Sequence, residues 1–430
     1  MTRELRDSGV GWLGDTPAAW SVVPARALFG ERKQKSSAID VHLTPSQKYG
    51  VLPQAEYMEI TGNKVVLNLS GADNMRHVEA GDYVSHLRSF QGGLEFAGIP
   101  GKVSAAYTVL KPKVALEPRF FKYLFKSDLY VQALQTTTDQ LRDGQSIRYG
   151  QFTLIPLPYP ELDEQRAIAD YLDRETAQID SFIAKNEELI TLLTERRASV
   201  IGGAVTRGIS EGVELSAKGP DWIGAVPAAW SVQPIKSAYS VVVGKMLNES
   251  KSEGDPVPYV RAANIQPEGL DLSDVKEMKA TAADRRALTL QSGDVVFVEG
   301  GGGYGRSDYL AQDLPGWVFQ NHVIRLRSRP GHDGRFLNYW LQHVRRLGHY
   351  EALSAFATIP NVSGDKLGRI EMPVPPLSEQ REIVKHIEEA SSRIDAAVAV
   401  AQGSVELARE RRAALISAAV TGKIDVGVSV

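Results

Sequence analysis

A thirteen-residue block occurs twice along the chain. Trp12 to Pro24 reads W-L-G-D-T-P-A-A-W-S-V-V-P, and Trp222 to Pro234 reads W-I-G-A-V-P-A-A-W-S-V-Q-P, an offset of 210 residues. Further blocks return at an offset of 215: Glu164-Gln165-Arg166 as Glu379-Gln380-Arg381, Ile179-Asp180 as Ile394-Asp395, Glu195-Arg196-Arg197-Ala198 as Glu410-Arg411-Arg412-Ala413, and Ala204-Val205-Thr206 as Ala419-Val420-Thr421. Between the blocks the copies differ, and Tyr49 to Lys113 shows little similarity to Tyr259 to Arg329. A chain written twice in this way must fold as two copies of one frame carrying unlike inserts.

The blocks at offset 215 read as helices. After the Pro-rich exits Ile155-Pro156-Leu157-Pro158 and Met372-Pro373-Val374-Pro375-Pro376 no proline follows in either segment, and apolar residues take up a 3-4 spacing. The first stripe is Ile168, Leu172, Ile179, Phe182, Leu189, Leu193 and Val200, interrupted by Asn186. The second is Ile383, Ile387, Ala390, Ile394, Ala397, Ala401, Ala408 and Leu415, with smaller residues. Bulky residues facing alanines suit a close antiparallel pair with Asn186 setting register, the other reading being that each helix packs on its own globule. Each helix is expected to run about 43 residues, or roughly 65 Å, a spacer rather than an ordinary core helix.

The inserts read as mixed α/β globules. Val257-Pro258-Tyr259-Val260-Arg261 and Gly293-Asp294-Val295-Val296-Phe297-Val298 are β-rich runs bounded by turn residues, while Phe336 to Leu347 has helical spacing. Gly81-Asp82 leads into Tyr83 to Arg88 as Gly293-Asp294 leads into its strand, so the two inserts are expected to share a fold. The expected class is α+β: two mixed globules, 1–160 and 211–376, joined by two long antiparallel helices, 161–210 and 377–430, in a pseudo-two-fold repeat.

Composition narrows the chemistry. The sequence has 430 residues, 43% of them hydrophobic, enough for real cores, and offers no apolar run long enough for a membrane span and no apolar leader after Met1. A globular cytoplasmic protein is expected. Without cysteine there is no disulfide, thiolate-zinc site or cysteine nucleophile. The eight histidines are scattered, and His343 with His349 reads as surface decoration rather than a metal pair. A net charge of -3 argues against a nucleic-acid ligand until it is divided: residues 21–150 carry +4, residues 161–210 carry -4, and residues 231–365 carry 0. The second insert must therefore rely on local clusters such as Arg325, Arg327 and Arg329.

Catalysis finds no clear home. Gly300 to Ser307, G-G-G-G-Y-G-R-S, mimics a phosphate loop, but Arg306 replaces the lysine and no helix is expected after Ser307 to hold phosphate. The stretch reads better as a flexible tip that touches nucleic acid or as a plain turn. Glu277-Met278-Lys279 near Asp271 and Asp274 offers half of a nuclease motif with no partner in the first copy, and no methyltransferase cofactor loop is present. Base-reading candidates are polar or guanidinium residues in loops near strand ends: Arg88, Ser89, Gln91, Arg142, Gln145, Arg148 and Tyr149 in the first insert, and Arg261, Asn264, Tyr304, Arg306, Ser307 and Asn361 in the second.

The whole pattern resembles the specificity subunits of type I restriction-modification systems. Carrying the resemblance are the Trp-x-Gly-x-x-Pro-x-x-Trp block, the variable insert, the exit Pro375-Pro376-Leu377-Ser378-Glu379-Gln380-Arg381, and the long helix ending in Ala419-Val420-Thr421-Gly422-Lys423-Ile424. The first copy departs from it, with Arg207-Gly208 for Gly422-Lys423 and Tyr159-Pro160-Glu161-Leu162-Asp163 at the exit. The resemblance implies a non-catalytic subunit with no cofactor of its own, whose two target-recognition domains each read half of a split double-stranded DNA sequence. It further implies that the helices dock two methyltransferase subunits, which bring S-adenosylmethionine, and that restriction subunits can join. The reading from another class is a coiled-coil protein-interaction scaffold without DNA specificity.

If the helices set the spacing of two DNA-reading domains, the unread gap is about five to eight base pairs, because such domains sit about 34 to 36 Å apart on one face of B-DNA. Seven residues inserted after Ala184 and seven after Ala399 keep the stripe in phase and lengthen the pair by roughly 10 Å, or about three base-pair rises. The preferred gap then grows while the half-sites stay the same, and affinity falls because about three base pairs also rotate the duplex by about a hundred degrees. Binding selections with randomised gaps measure this. An unchanged gap in a folded variant means that the helices do not set the spacing.

Overall fold

The computed structural model describes residues 3–63, 75–85, 93–137, 147–247, 253–353 and 361–427. Arg88, Ser89, Gln91, Arg142 and Gln145 lie outside the described residues. The chain divides into two compact units, Met1–Glu187 with Gly403–Val430, and Glu188–Gln402, so each unit takes part of both long helices.

The repeated blocks make the same joint in each unit. Ser21–Pro24 pairs antiparallel with Pro156–Tyr159, and Ser231–Pro234 pairs with Glu371–Val374. Prolines stand in all four strands, which two-stranded ribbons tolerate because one side of each strand needs no ladder donor. Beside the joint, Trp20 and Trp230 are buried at 1% and 2% exposure.

The inserts share a sheet although they share little sequence. Its order in the first unit is Phe29–Glu31, Val109–Pro112, Tyr83–Ser85, Leu94–Phe96, and in the second Tyr239–Val243, Val323–Ser328, Val295–Val298, Ser307–Tyr309, antiparallel throughout. Each sheet is buried on both faces, so its central strands are apolar without gaps and the side-chain period of two sorts them. Val295 and Phe297 face a core with Trp230, Phe336 and Trp340, while Val296 and Val298 face a second core with Tyr259, Met278 and Phe319. In the first unit Tyr83 and Leu110 join the aromatic core around Phe29, and Val84 and Val109 join a smaller one. Phe29 meets Tyr83, Phe121 and Phe152 edge-on at 5.6, 5.2 and 5.8 Å, a geometry aromatic quadrupoles favour.

The Gly-Asp turns also match. Gly81 and Gly293 adopt φ of 98° and 94°, which favours glycine. The aspartates behind them are buried, and each takes a two-pronged arginine: Arg32 on Asp82 at 2.5 and 3.0 Å, Arg327 on Asp294 at 2.6 and 2.7 Å. Arg32 follows the edge strand Phe29–Glu31, whereas Arg327 lies in the neighbouring strand Val323–Ser328. The two copies reached the same pairing from different sequence positions.

The long helices run Leu162–Arg207 and Leu377–Val420, 46 and 44 residues. Their pairing is antiparallel within the first unit, where Arg412 grips Asp180 at 2.8 and 3.2 Å and Arg409 reaches Glu187 at 2.7 Å. In the second unit Arg197 stands 3.6 Å from Asp395. These exposed ion pairs align the helices but contribute little stability, and the apolar seam through Ile383, Ile387, Ile394, Ala401 and Val405 holds them. The expected stripe needs three corrections. Phe182 and Leu189 are 48% and 44% exposed, Ala397 is exposed, and Val405 is buried in the seam although it was not assigned to it. Asn186 donates to the Phe182 carbonyl one turn back at 2.9 Å, so its amide is engaged within its own helix and sets no register.

What fixes each long helix to its insert is a repeated, fully buried glutamine. Gln165 accepts from the Glu117 backbone N–H at 2.9 Å and donates to the Pro160 carbonyl at 2.8 Å. Gln380 accepts from the Asp333 N–H at 2.8 Å and donates to the Pro375 carbonyl at 2.8 Å. Glu117 and Asp333 are themselves N-caps of the insert helices Pro118–Lys126 and Gly334–Arg346. One amide thus joins three elements.

Replacing either glutamine by leucine keeps its bulk but strands a partly buried N–H and a buried carbonyl, at a cost of about 1–3 kcal/mol for each stranded group. Denaturant unfolding of Gln165→Leu and Gln380→Leu measures it. Unchanged stability in both would show the amides to be incidental.

Candidate functional site

In the second unit, three loops converge at one end of the central sheet. The glycine-rich stretch 299–306 leaves Val295–Val298, turns through Gly301 and Gly305 at φ of 84° and 73°, and returns as Ser307–Tyr309. It enters a strand and not a helix, so it has no helix N-terminus for phosphate. Gly305 packs where a Cβ would lie 2.8 Å from the Tyr350 ring, and Gly303 sits against the Ala262 carbonyl of the second loop. Asn361, in the third, bridges to Gly300 and hydrogen-bonds Glu299. Burial raises the Glu299 carboxyl above its ordinary range, while His322 and Asn361 oppose the shift. Asp308 is likewise raised by burial, against hydrogen bonds from the Tyr309 and Leu270 N–H groups.

The sequence candidates fall into two groups here. Arg306 donates toward the Gln266 side chain at 3.3 Å and the Ile265 carbonyl at 3.5 Å, Arg261 pairs with Asp274, and Asn361 is exposed. Both arginines keep a buried Nε without a partner among the described residues, so their present contacts do not satisfy them. Asn264, Tyr304 and Ser307 instead hold the loops in shape. Asn264, 4% exposed, accepts from the Arg261 N–H and donates to the Asp271 carbonyl; Tyr304 donates to the Tyr350 carbonyl at 2.7 Å; Ser307 donates to Asn338 at 2.7 Å. Sequence reading missed Gln266 and Glu299, which only the meeting of the loops brings to this end.

Two expectations are corrected. Arg325 is 6% exposed and donates to the Ala287 and Thr289 carbonyls, and Arg327 is spent on Asp294, so neither adds surface charge. His343 and His349 are packing residues: His349 stacks on Trp222 at 3.9 Å, and the His343 ring lies against Gly202. Glu277 and Lys279 project from a strand whose Met278 is buried in the core. Among the described residues no group of three or more His, Asp or Glu could hold a metal, and no helix is long and apolar enough to cross a membrane.

In the first unit the described candidates are Arg148 and Tyr149. Arg148 is exposed at the start of Tyr149–Phe152, its N–H held by the Gln151 side chain at 2.8 Å, while Tyr149 donates to the Phe29 carbonyl at 3.1 Å. Lys33 and Lys35 are exposed, and they precede a turn, Ser37 to Asp40, that presents Ile39 at 90% exposure. His77 clamps this turn, with Nδ1 2.8 Å from Asp40 and Nε2 2.8 Å from Glu79. Only the imidazolium can donate to both carboxylates. Burial works against that charge, but the two hydrogen bonds and the two carboxylate charges outweigh it and raise the ring's pKa above 6.5.

A raised folded-state value means the clamp stabilises fully below the unfolded pKa of about 6.5 and fades as pH climbs through the folded one. The melting temperature of the parent should therefore exceed that of His77→Gln at pH 6, with the difference shrinking toward pH 8. Parallel profiles across that range would show that the ring does not carry the charge.

Known proteins match this architecture. Residues 227–397 fit the type I restriction modification DNA specificity domain family. The chain is 22% identical over 294 residues to the EcoKI specificity subunit of Escherichia coli K12, covering 67% of this chain and 61% of that protein. It is 23% identical over 296 residues to the StySPI specificity subunit of Salmonella potsdam, covering 66% and 61%. The matched stretch thus spans about three fifths of the length of these relatives. The fold is shared with a chain solved in work on complex assembly and conformational transition of the type I R-M system, at TM-score 0.72 and 14% identity over 95% of this chain and 99% of that one. It is shared also with the HsdS subunit from Thermoanaerobacter tengcongensis, at TM-score 0.55 and 15% identity over 95% and 98%. With its twice-used frame, its two matching sheets and its paired long helices, the chain has the fold of these solved specificity subunits, and its residues 227–397 match the DNA specificity domain of type I restriction modification.

Proposed function

We propose that this chain is the DNA-reading subunit of a type I restriction-modification complex, acting by binding alone. Two target-recognition domains, 1–160 and 211–376, each read one half of a split, asymmetric double-stranded site. The observation that carries this reading is that the two inserts have one strand order in their four-stranded sheets but unlike sequences between the strands. Equal frames present the two inserts alike, and unlike loops read different bases. In the second domain Arg306, Arg261 and Asn361 are the side chains best placed to contact groove edges, with Gln266 beside Arg306. In the first, Arg148 is the described candidate, together with Arg88, Ser89, Gln91, Arg142 and Gln145.

The long helices, 161–210 and 377–430, would carry the partners: two methyltransferase subunits bringing S-adenosylmethionine, and restriction subunits beyond them. The acidic balance of residues 161–210 and the exposed Phe182, Leu192 and Leu407 support a protein-binding role for these helices, since such residues would otherwise meet water. Methyl groups would be transferred by the partner, in the cytoplasm where chromosomal DNA lies.

Mapping methylated bases in a host that expresses the chain with its methyltransferase tests the reading. Two unlike half-sites around an unread gap are expected, whereas an uninterrupted palindrome would refute the assignment of one half-site to each insert. Arg306→Ala should weaken binding by about 1–3 kcal/mol through one half-site only. Equal loss on specific and random duplexes would make Arg306 a phosphate contact instead.

A further inference from the structure

The second unit holds a cavity lined by none of the residues assigned above to base reading. It lies between the last turns of the first long helix, the loop 222–225 and the end of Gly334–Arg346, with a volume of about 460 Å³. Arg207 and Arg346 line it, and neither makes a hydrogen bond or ion pair among the described residues. Ser199 adds a hydroxyl with no partner among the described residues. His343 completes the donor set: Nδ1 is buried against Gly202, which leaves Nε2 as its accessible nitrogen. No aspartate or glutamate lines the cavity.

The repeat supplies an internal comparison. Gly202 and Gly203 keep the cavity open, and a Cβ on Gly202 would lie 2.6 Å from the His343 ring. At the equivalent positions the other copy has Ser417 and Ala418, it has Gly422 for Arg207, and it has Asp15 for Ala225. The residues lining the cavity thus differ from their repeat counterparts toward more space, with an alanine where the other copy has Asp15 and the cation at Arg207 rather than one position on at Lys423. A cation at a helix C-terminus suits the helix dipole, which accounts for one arginine on each helix but not for the room between them.

We propose that this cavity is a binding site for a phosphate-type oxyanion, gripped by Arg207 and Arg346 and hydrogen-bonded by Ser199 and His343. Two guanidinium groups match phosphate geometry as paired forks. The cavity is several times larger than phosphate itself, and ligand sites of a few hundred cubic ångströms hold whole small molecules, so the group arrives on a larger body: a nucleotide or a DNA strand. Burial and the Arg346 charge lower the His343 pKa, and a bound dianion reverses that shift, so binding takes up protons below neutral pH.

The test is calorimetric titration of the full chain with inorganic phosphate and with a nucleoside diphosphate, alongside duplex binding measured against salt. The Arg207→Gln/Arg346→Gln double variant provides the comparison; both side chains are exposed, and an unchanged melting curve verifies its fold. Phosphate binding in the parent, tighter for the diphosphate and weakened at least tenfold in the double variant, supports a free ligand. Loss confined to the duplex arm, with a shallower salt slope, supports a DNA phosphate as the source. Identical parent and variant behaviour in all three arms overturns the proposal.

Discussion

Two buried amides hold the architecture together. A helix of more than forty residues with a narrow apolar face has little to fix where it begins or how it leaves a globule, and the Pro-rich exits leave backbone groups that need partners. Gln165 and Gln380 supply them, each taking the N–H of an N-cap and giving to the carbonyl of a proline. Their burial makes the geometry strict, because a displaced amide leaves three polar groups unsatisfied away from water. The direction in which each helix leaves its insert follows from this one contact.

Around that joint each insert solves the same packing problem with different residues. A sheet covered on both faces must be apolar throughout its central strands, and the pleat divides those residues between two cores. The first unit fills the larger core with Phe29, Phe121, Phe125 and Phe152, the second with Trp340, Phe336 and Tyr350. The buried aspartate of each Gly-Asp turn finds an arginine from a different strand. Constraint therefore lies in the charge partner and the core volume, not in particular sequence neighbours.

The electrostatics follow the same economy. Several arginines that look available in the sequence are used internally: Arg32 and Arg327 on buried aspartates, Arg325 on backbone carbonyls, Arg119 on Glu117, Asp170 and Asp173. Other cations stay accessible, Arg148, Arg207 and Arg346 at helix ends among them, where a neutral globule can still present a local positive field. Net charge conceals that distribution.

The sequence alone determined the duplication, the α+β class, the long helices and the resemblance to a family, because each rests on spacing, and spacing survives in one dimension. Helix length was legible for the same reason: no proline follows the exits, and the 3-4 stripe runs to the end. The sequence could not say that Asn264, Tyr304 and Ser307 are committed to the backbone and to Asn338 while Arg306 meets Gln266, since those partners lie 7 to 46 positions away. Nor could it place His77 between Asp40 and Glu79, or leave Arg207 and Arg346 facing one cavity. Those outcomes depend on which loops the sheet brings side by side, and a side chain's chemistry is settled by the partner it meets there.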